Sequence, residues 1–230
     1  DDPYANRMME GLDIPVMTFG IREKAGVAAS EIDITTRGVQ FDFNYKNITS
    51  RFNVPIPGLF SVFNAIGAAT VALSLGWNLD SIKYGLEHMM SVSGRLEPLP
   101  TGKNEFTVLL DYAHTPDALE NVLKTMRHHT AGKLWVVFGC GGDRDKLKRP
   151  IMGRIARELA DRAVVTDDNP RTEDAAEIRR QILCECPDAA EIGDRVEAIN
   201  YAVSRLGEGD MLVIAGKGHE NGQKIGDRII

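Results

Sequence analysis

From residue 105 onward the chain repeats one pattern: a short apolar run, then a polar crossing, then a stretch with helical spacing. The runs are FTVLLD (106–111), LWVVFG (134–139), AVVTDD (163–168) and MLVIAG (211–216). Between and beside them, helical periodicity covers 116–128, 148–160, 174–186 and 195–206, and residues 189–192 allow one more short strand. Apolar strands separated by helices of this length form βαβ units, which place the strands parallel and cover both sheet faces. The expectation is therefore an α/β chain ending in a doubly wound, mostly parallel, Rossmann-like domain.

The first ninety residues read differently. Ile32 and Ile34, then Val39, Phe41, Phe43 and Tyr45, alternate with period two, so a half-exposed hairpin turning at Arg37-Gly38 is expected. LFSVFNAIGAATVALSLG is apolar on nearly every side and predicts a buried helix that Gly76 ends. A second helix is expected over 79–90, followed by SVSG (91–94), which has linker character. The domain boundary falls there, giving domains 1–91 and 92–230.

Composition excludes several classes. With 43% hydrophobic and 26% charged residues the chain is globular, and Ser61, Asn64, Thr70 and Ser74 break its longest apolar stretch. It is thus shorter than the roughly 18 apolar residues a membrane helix needs. A net charge of −6 argues against a nucleic-acid surface. Three cysteines are too few for a disulfide framework, and Cys184 and Cys186 lack zinc spacing, so reduced thiols in a cytoplasmic protein are expected. No signal peptide is seen. The chain opens at Asp1-Asp2-Pro3 without methionine and stops at Ile229-Ile230 where a strand pattern begins, so both ends read as cut.

In open parallel sheets, ligands bind beyond the carboxyl ends of the strands. Here those ends read Asp111-Tyr112-Ala113-His114, Gly139-Cys140-Gly141-Gly142-Asp143-Arg144, Asp168-Asn169-Pro170-Arg171 and Gly216-Lys217-Gly218-His219-Glu220. Charge at every end points to one shared site. GCGGDRD is not a dinucleotide fingerprint, because Arg144 stands where the third glycine belongs. No P-loop is present either: the Gly-Lys pairs at 102–103, 132–133 and 216–217 are followed by Asn, Leu and Gly. Thr115 and Pro116 read as N-cap and first residue of a helix. Asp111, ending a buried strand, needs a partner to offset desolvation, and a ribose hydroxyl pair is one option. Arg95 reads either as a surface ion-pair residue or as a phosphate contact. Asn64 reads either as a capping or interhelix amide or as a ligand contact. Asp143, Asp145, Lys146, Lys148 and Arg149 read as a solvated loop, from which only Arg144 stands out.

The crossing TDDNPRTED (166–174) carries the sharpest chemistry. Pro170 keeps Asn169 out of the helical region and stiffens the loop. Arg171 offers a fork for a carboxylate, while Asp168 and the distant Glu220 accept from an ammonium. Together they predict a receptor for an amino-acid zwitterion, one that rejects ligands unable to pair Arg171.

FSVFNAIGAA, SGRLE, DYAHTPDAL, FGCGGDRDKLKRP, DNPR and GKGHE occur here in the order found in the Mur ligase family, which the sequence resembles over essentially its whole length. The resemblance is narrowest to the members that add meso-2,6-diaminopimelate, for which DNPR is a signature. It implies that residues 1–91 are the later part of an ATP-binding central domain and 92–230 the amino-acid-binding C-terminal domain. It implies diaminopimelate contacts at Arg144, Asp168, Asn169, Pro170, Arg171, Gly216 and Glu220. It also implies ATP contacts at Asn64 (adenine), Arg95 (phosphates) and Asp111 (ribose), and leaves His114 without a role. The implied reaction is ATP- and Mg2+-dependent amide formation on UDP-N-acetylmuramoyl-L-alanyl-D-glutamate through an acyl phosphate, in peptidoglycan precursor synthesis. A cytoplasmic monomer with no nucleic-acid or membrane partner is expected. The family's uridine-nucleotide domain, P-loop and carbamylated lysine are missing from these 230 residues, so no catalytic or metal-binding residue is assigned and the segment is expected to be inactive alone. A folylpolyglutamate-synthetase type of ligase and a non-catalytic amino-acid-binding module are the alternatives.

Overall fold

The computed structural model describes residues 1–22, 25–35, 38–89, 92–226 and 228–229. It divides into two compact units, Asp1–Ser91 and Val92–Ile230.

In the first unit, a short helix α1 (Ala5–Met9) precedes a four-stranded sheet in the order β1 (Phe19–Gly20), β2 (Val27–Thr35), β3 (Gly38–Tyr45), β4 (Ile48–Val54). β1 runs parallel to β2, and the rest is an antiparallel meander. The expected hairpin is β2–β3; Arg37 of its turn lies outside the described residues. The register of β2 shifts between Ser30 and Asp33, where Glu31 takes φ 48°. That bulge changes which residues face inward, from Val27 and Ala29 before it to the half-buried Ile32 and Ile34 after it. Phe41, Phe43 and Phe52 fill the core, with the Phe43 and Phe52 rings stacked at 4.7 Å.

Helix α2 (Leu59–Ser74) lies on this sheet and corrects the expectation of a helix buried all round. Ser61, Val62, Ala65, Ile66, Ala69 and Thr70 are buried, but Val71 is 59% exposed and Asn64 is exposed as well. A single sheet covers a single face, and α3 (Leu79–Glu87) shields only a little more. Asn64 is therefore neither a cap nor an interhelix amide. Helix α3 ends at Glu87 with His88 as its C-cap, short of the expected end at Met90, and only Met90 itself lies outside the described residues.

The second unit is the doubly wound domain. Its sheet has the order β5 (Glu97–Leu99), β6 (Thr107–Leu110), β10 (Met211–Ile214), β7 (Leu134–Phe138), β8 (Arg162–Val165), β9 (Ala190–Glu191). All pairings are parallel except β5–β6, an antiparallel edge that the apolar runs did not announce. Helices α4 (Pro116–Arg127), α5 (Lys148–Leu159) and α6 (Ala175–Leu183) pack side by side. Helix α7 (Arg195–Val203) sets Ala198 and Ala202 against Val108, Trp135, Val137, Val164, Leu212 and Ile214. Because side chains alternate along a strand, the intervening Leu109, Val136, Val165 and Val213 face the other helices. The Thr115 hydroxyl caps α4 as the sequence suggested, accepting from Ala118 N; Asp174 and Asp194, not foreseen as caps, start α6 and α7. A small ribbon, β11 (Lys224–Ile225) with β12 (Arg228–Ile229), follows β10. Of the SVSG stretch, Ser91 lies outside the described residues, and Gly94 is no loose linker. With φ 70°, it packs so tightly that a Cβ there would stand 2.4 Å from His219 N.

Phe52 is fully buried among aromatic neighbours. Phe52→Ala is expected to destabilise the first unit by about 3–5 kcal/mol, read from urea unfolding; a loss under about 1 kcal/mol would mean that this aromatic core is not what holds the sheet.

Candidate amino-acid site at the strand ends

The loops after β7 and β8 touch along their lengths. A Cβ at Gly139 would stand 2.2 Å from the Thr166 carbonyl oxygen, and one at Gly142 would stand 1.9 Å from that of Pro170. Only glycine permits this approach. Gly142 N donates to the Asn169 carbonyl at 2.9 Å, and Arg171 Nη1 donates to the Gly142 carbonyl at 2.7 Å. Asp143 and Arg171 both hold positive φ, 52° and 53°, a conformation that non-glycine residues keep only where their surroundings enforce it.

Arg149 supplies that enforcement and corrects the reading of 143–149 as a solvated loop. It is fully buried. Its guanidinium donates to both oxygens of Glu173 at 3.0 Å, to Gln181 at 2.8 Å and to the Gly141 carbonyl at 3.2 Å. Glu173 also accepts from Asp143 N. The Arg149 bond, then that amide, outweigh the opposing effect of burial and hold the Glu173 carboxyl at about 2. Arg149 stands one residue inside α5 between the half-buried Lys148 and Pro150, and nothing in its spacing marks it as the inward member of the charge run.

The loop after β10 joins through Asn169. The Asn169 Oδ1 atom accepts from Lys217 Nζ at 2.9 Å and from Lys224 N at 2.8 Å, and its Nδ2 donates to Glu220 Oε2 at 3.1 Å. Lys217, unassigned in the sequence reading, is buried and donates also to Glu220 Oε2 and to the Gly222 carbonyl. Burial acts to raise the Glu220 carboxyl, but the bonds from Asn169 and Lys217 prevail and hold it below its ordinary value. Arg171 N and O pair with Lys224 O and Gly226 N, which adds the ribbon to the same assembly.

These elements enclose a cavity of about 370 Å³, within the range of small-ligand pockets. Arg144, Asp168, Asn169, Arg171, Gly216 and Glu220 all line it. Pro170 does not; it is buried, and its carbonyl underlies Gly142. Among the described residues on its wall, Asp168, Arg171 and Glu220 each keep bonding capacity in reserve. Asp168 Oδ1 accepts from Asn169 N, but Oδ2 is buried without a partner. Arg171 uses only Nη1. Glu220 Oε1 has just a 3.4 Å bond from the Tyr112 hydroxyl. Tyr112, His114 and Lys148 also line the wall, with His114 fixed by its ring to the Tyr112 carbonyl and by its own carbonyl to Lys148 Nζ.

The three residues expected to meet a nucleotide lie elsewhere. Asp111 finds its partners inside the chain: Leu96 N at 2.8 Å and Ala113 N at 2.7 Å, while burial raises its carboxyl against those bonds. Arg95 is exposed with its guanidinium 4.4 Å from the centre of the Tyr112 ring. Asn64 belongs to the first unit. Cys140, beneath the glycine loop, is a buried thiol pushed up to about 12 by desolvation.

Removing one partner of a buried ion pair is far costlier than never burying it. Arg149→Met is therefore expected to destabilise the second unit by about 3 kcal/mol in urea unfolding. The depressed Glu173 carboxyl adds a pH signature, because its stabilisation is complete above 4.5 and is lost as pH falls through about 2. The stability gap between the native chain and Glu173→Gln should hold constant down to about pH 5 and shrink below it. A gap indifferent to acid would refute the assignment.

Comparison with known proteins agrees with this architecture. Residues 94–218 match the family model for the Mur ligase glutamate ligase domain, and residues 1–72 that for the Mur ligase middle domain. The chain is 43% identical to UDP-N-acetylmuramoyl-L-alanyl-D-glutamate–2,6-diaminopimelate ligase 1 of Clostridium acetobutylicum, covering 100% of this chain and 48% of that protein. It is 45% identical to the corresponding ligase of Caldanaerobacter subterraneus subsp. tengcongensis, with the same coverage. A solved structure of a UDP-N-acetylmuramoyl-L-alanyl-D-glutamate–2,6-diaminopimelate ligase superposes with a TM-score of 0.61 at 34% identity, covering 99% of this chain and 48% of that one. The chain spans about half the length of the curated relatives it matches. On the family models and the shared fold, it belongs to the Mur ligase family.

Proposed function

We propose that this chain provides the amino-acid-binding part of a ligase that joins meso-2,6-diaminopimelate to UDP-N-acetylmuramoyl-L-alanyl-D-glutamate in cytoplasmic peptidoglycan precursor synthesis. The observation that carries the reading is the gathering of Arg144, Asp168, Asn169, Arg171, Gly216 and Glu220 around one cavity. The names of the relatives support the same substrates.

In this reading the unengaged nitrogens of Arg171, with Arg144 beside them, take one carboxylate of the ligand. Asp168 Oδ2 and Glu220 Oε1 take the ammonium of the same end. Asn169 makes no bond to the ligand that it does not first make to Lys217, Lys224 and Glu220, so its part is to set the angle between the two acids. Gripping one zwitterionic end leaves the opposite amine outside the cavity. That amine attacks the acyl carbonyl of the glutamyl phosphate, a new C–N bond forms and phosphate leaves. The chain's contribution is to hold the nucleophile in place.

ATP and Mg2+ belong to the proposed reaction, ATP supplying the phosphoryl group. The residues present do not fit the metal: among the described residues no group of three His, Cys, Asp or Glu stands where it could hold an ion. Arg95 remains our candidate for nucleotide phosphates, since its guanidinium is exposed. Asn64 remains the candidate for adenine and Asp111 for ribose, the latter through a carboxylate already bonded to two amides.

Lysine placed with its α-amine outside as the nucleophile presents an ammonium but no carboxylate to the cavity, so in that orientation Arg171 would be left desolvated and unpaired. Calorimetry is expected to show meso-diaminopimelate binding at least about 100-fold more tightly than lysine. Arg171→Ala should remove the difference. Equal affinity of the native chain for both ligands would sink the proposal.

A further inference from the structure

One charged residue near the cavity is not among those that line it. Arg195 opens α7, on the face of the sheet opposite α4–α6, and reaches the end of β10 from beneath. Its side chain is buried. Nη2 donates to the Ala215 carbonyl at 2.6 Å, and Nη1 has no partner. Across from it, Asp168 Oδ2 is equally buried and equally without a partner. Gly216 adjoins both. A Cβ built on it would lie 3.1 Å from Asp168 Oδ2 and 4.0 Å from Arg195 Nη2.

Two buried groups of opposite charge, close but not bonded, call for an explanation. A carbonyl accepts from neutral donors as well as from charged ones, so the bond to Ala215 does not require a guanidinium. Burying that cation is costly unless something nearby benefits from its charge. The field of Asp168 and Glu220 does reach it: desolvation lowers the Arg195 pKa, and these two acids oppose the shift. A direct salt bridge would give the same compensation but would occupy Asp168 Oδ2 as an acceptor. The two charges instead act on each other across the side-chain-free space beside Gly216, through a medium of low dielectric.

We infer that Arg195 is a positioning residue for the amino-acid pocket, a countercharge below its floor that balances Asp168 and Glu220 while leaving Asp168 Oδ2 free to accept from a ligand's ammonium. This rests on the proposed function and extends it to a residue on the far side of the sheet. It assigns Arg195 no contact with the ligand. Its effect falls on affinity for the amino acid and travels through Asp168.

The test is calorimetric titration of meso-diaminopimelate into the native chain, Arg195→Gln and Arg195→Lys, each first checked for a native-like thermal melt. Gln keeps a donor for Ala215 and loses the charge; Lys keeps the charge and loses the planar fork. Arg195→Gln is expected to bind about tenfold or more weakly, and Arg195→Lys to stay within about threefold of native. If the native chain binds and Arg195→Gln binds equally well, the inference is overturned while the functional reading stands. If the native chain does not bind, the functional reading fails and takes the inference with it. Should Arg195→Gln not fold, the lysine variant decides: a folded Arg195→Lys that loses tenfold shows that geometry at Ala215, rather than charge, is what matters.

Discussion

The site depends on a buried contact between Arg149 and Glu173, because that contact decides how the loops after β7 and β8 meet. Arg149 holds the carbonyl of Gly141 with one hand and the carboxylate of Glu173 with the other, and Glu173 in turn receives the amide of Asp143. The bonds to Glu173 cross from one loop to the other, while the bond to Gly141 ties Arg149 to its own loop. The glycines at 139 and 142 let the backbones close to a distance that any side chain would forbid. Such a pair is weak evidence for stability, since apolar residues of equal volume often do as well. What it does here is fix one arrangement of two irregular loops, and the cavity wall follows from that arrangement.

A second set of bonds extends the same logic to β10. Asn169, Lys217 and Glu220 saturate one another, with Lys217 using donors on Asn169, Glu220 and Gly222. The groups left open after this are few and chemically complementary: a carboxylate oxygen of Asp168, one of Glu220, and the outer nitrogens of Arg171. Saturated neighbours keep these groups from swinging, so the pocket is preorganised for a ligand bearing both charges. Asp111 belongs to the same style of construction at β6, where its carboxylate draws the 94–96 segment onto the sheet through Leu96 N.

The parallel domain was legible because its strands are continuous apolar runs and its helices carry their own start signals, Thr115-Pro116 above all. The pocket was legible for a topological reason: chemistry gathers at carboxyl ends, and DNPR and GKGHE both stand there. What stayed hidden has specific causes. β5 and β4 are edge or half-exposed strands whose alternation is too short or too polar to stand out. The bulge at Glu31 cannot be inferred from alternation that restarts on the other phase. Arg149 stood in a run of charges, where spacing alone does not say which member turns inward. Lys217 was weighed only as a P-loop lysine and dismissed, although a lysine between two glycines at a strand end is well placed for a buried network. The outer face of α2 was overcalled as buried because composition shows that a helix is apolar and not how many neighbours cover it.

Where a diaminopimelate molecule sits decides whether this cavity is its receptor. A crystal structure of the chain soaked with meso-diaminopimelate should show one end between β7, β8 and β10, with its carboxylate on the Arg171 guanidinium and its ammonium on Asp168 Oδ2 and Glu220. Finding the ligand elsewhere, or in this cavity with Arg171 still bonded only to the Gly142 and Asn169 carbonyls, would contradict it.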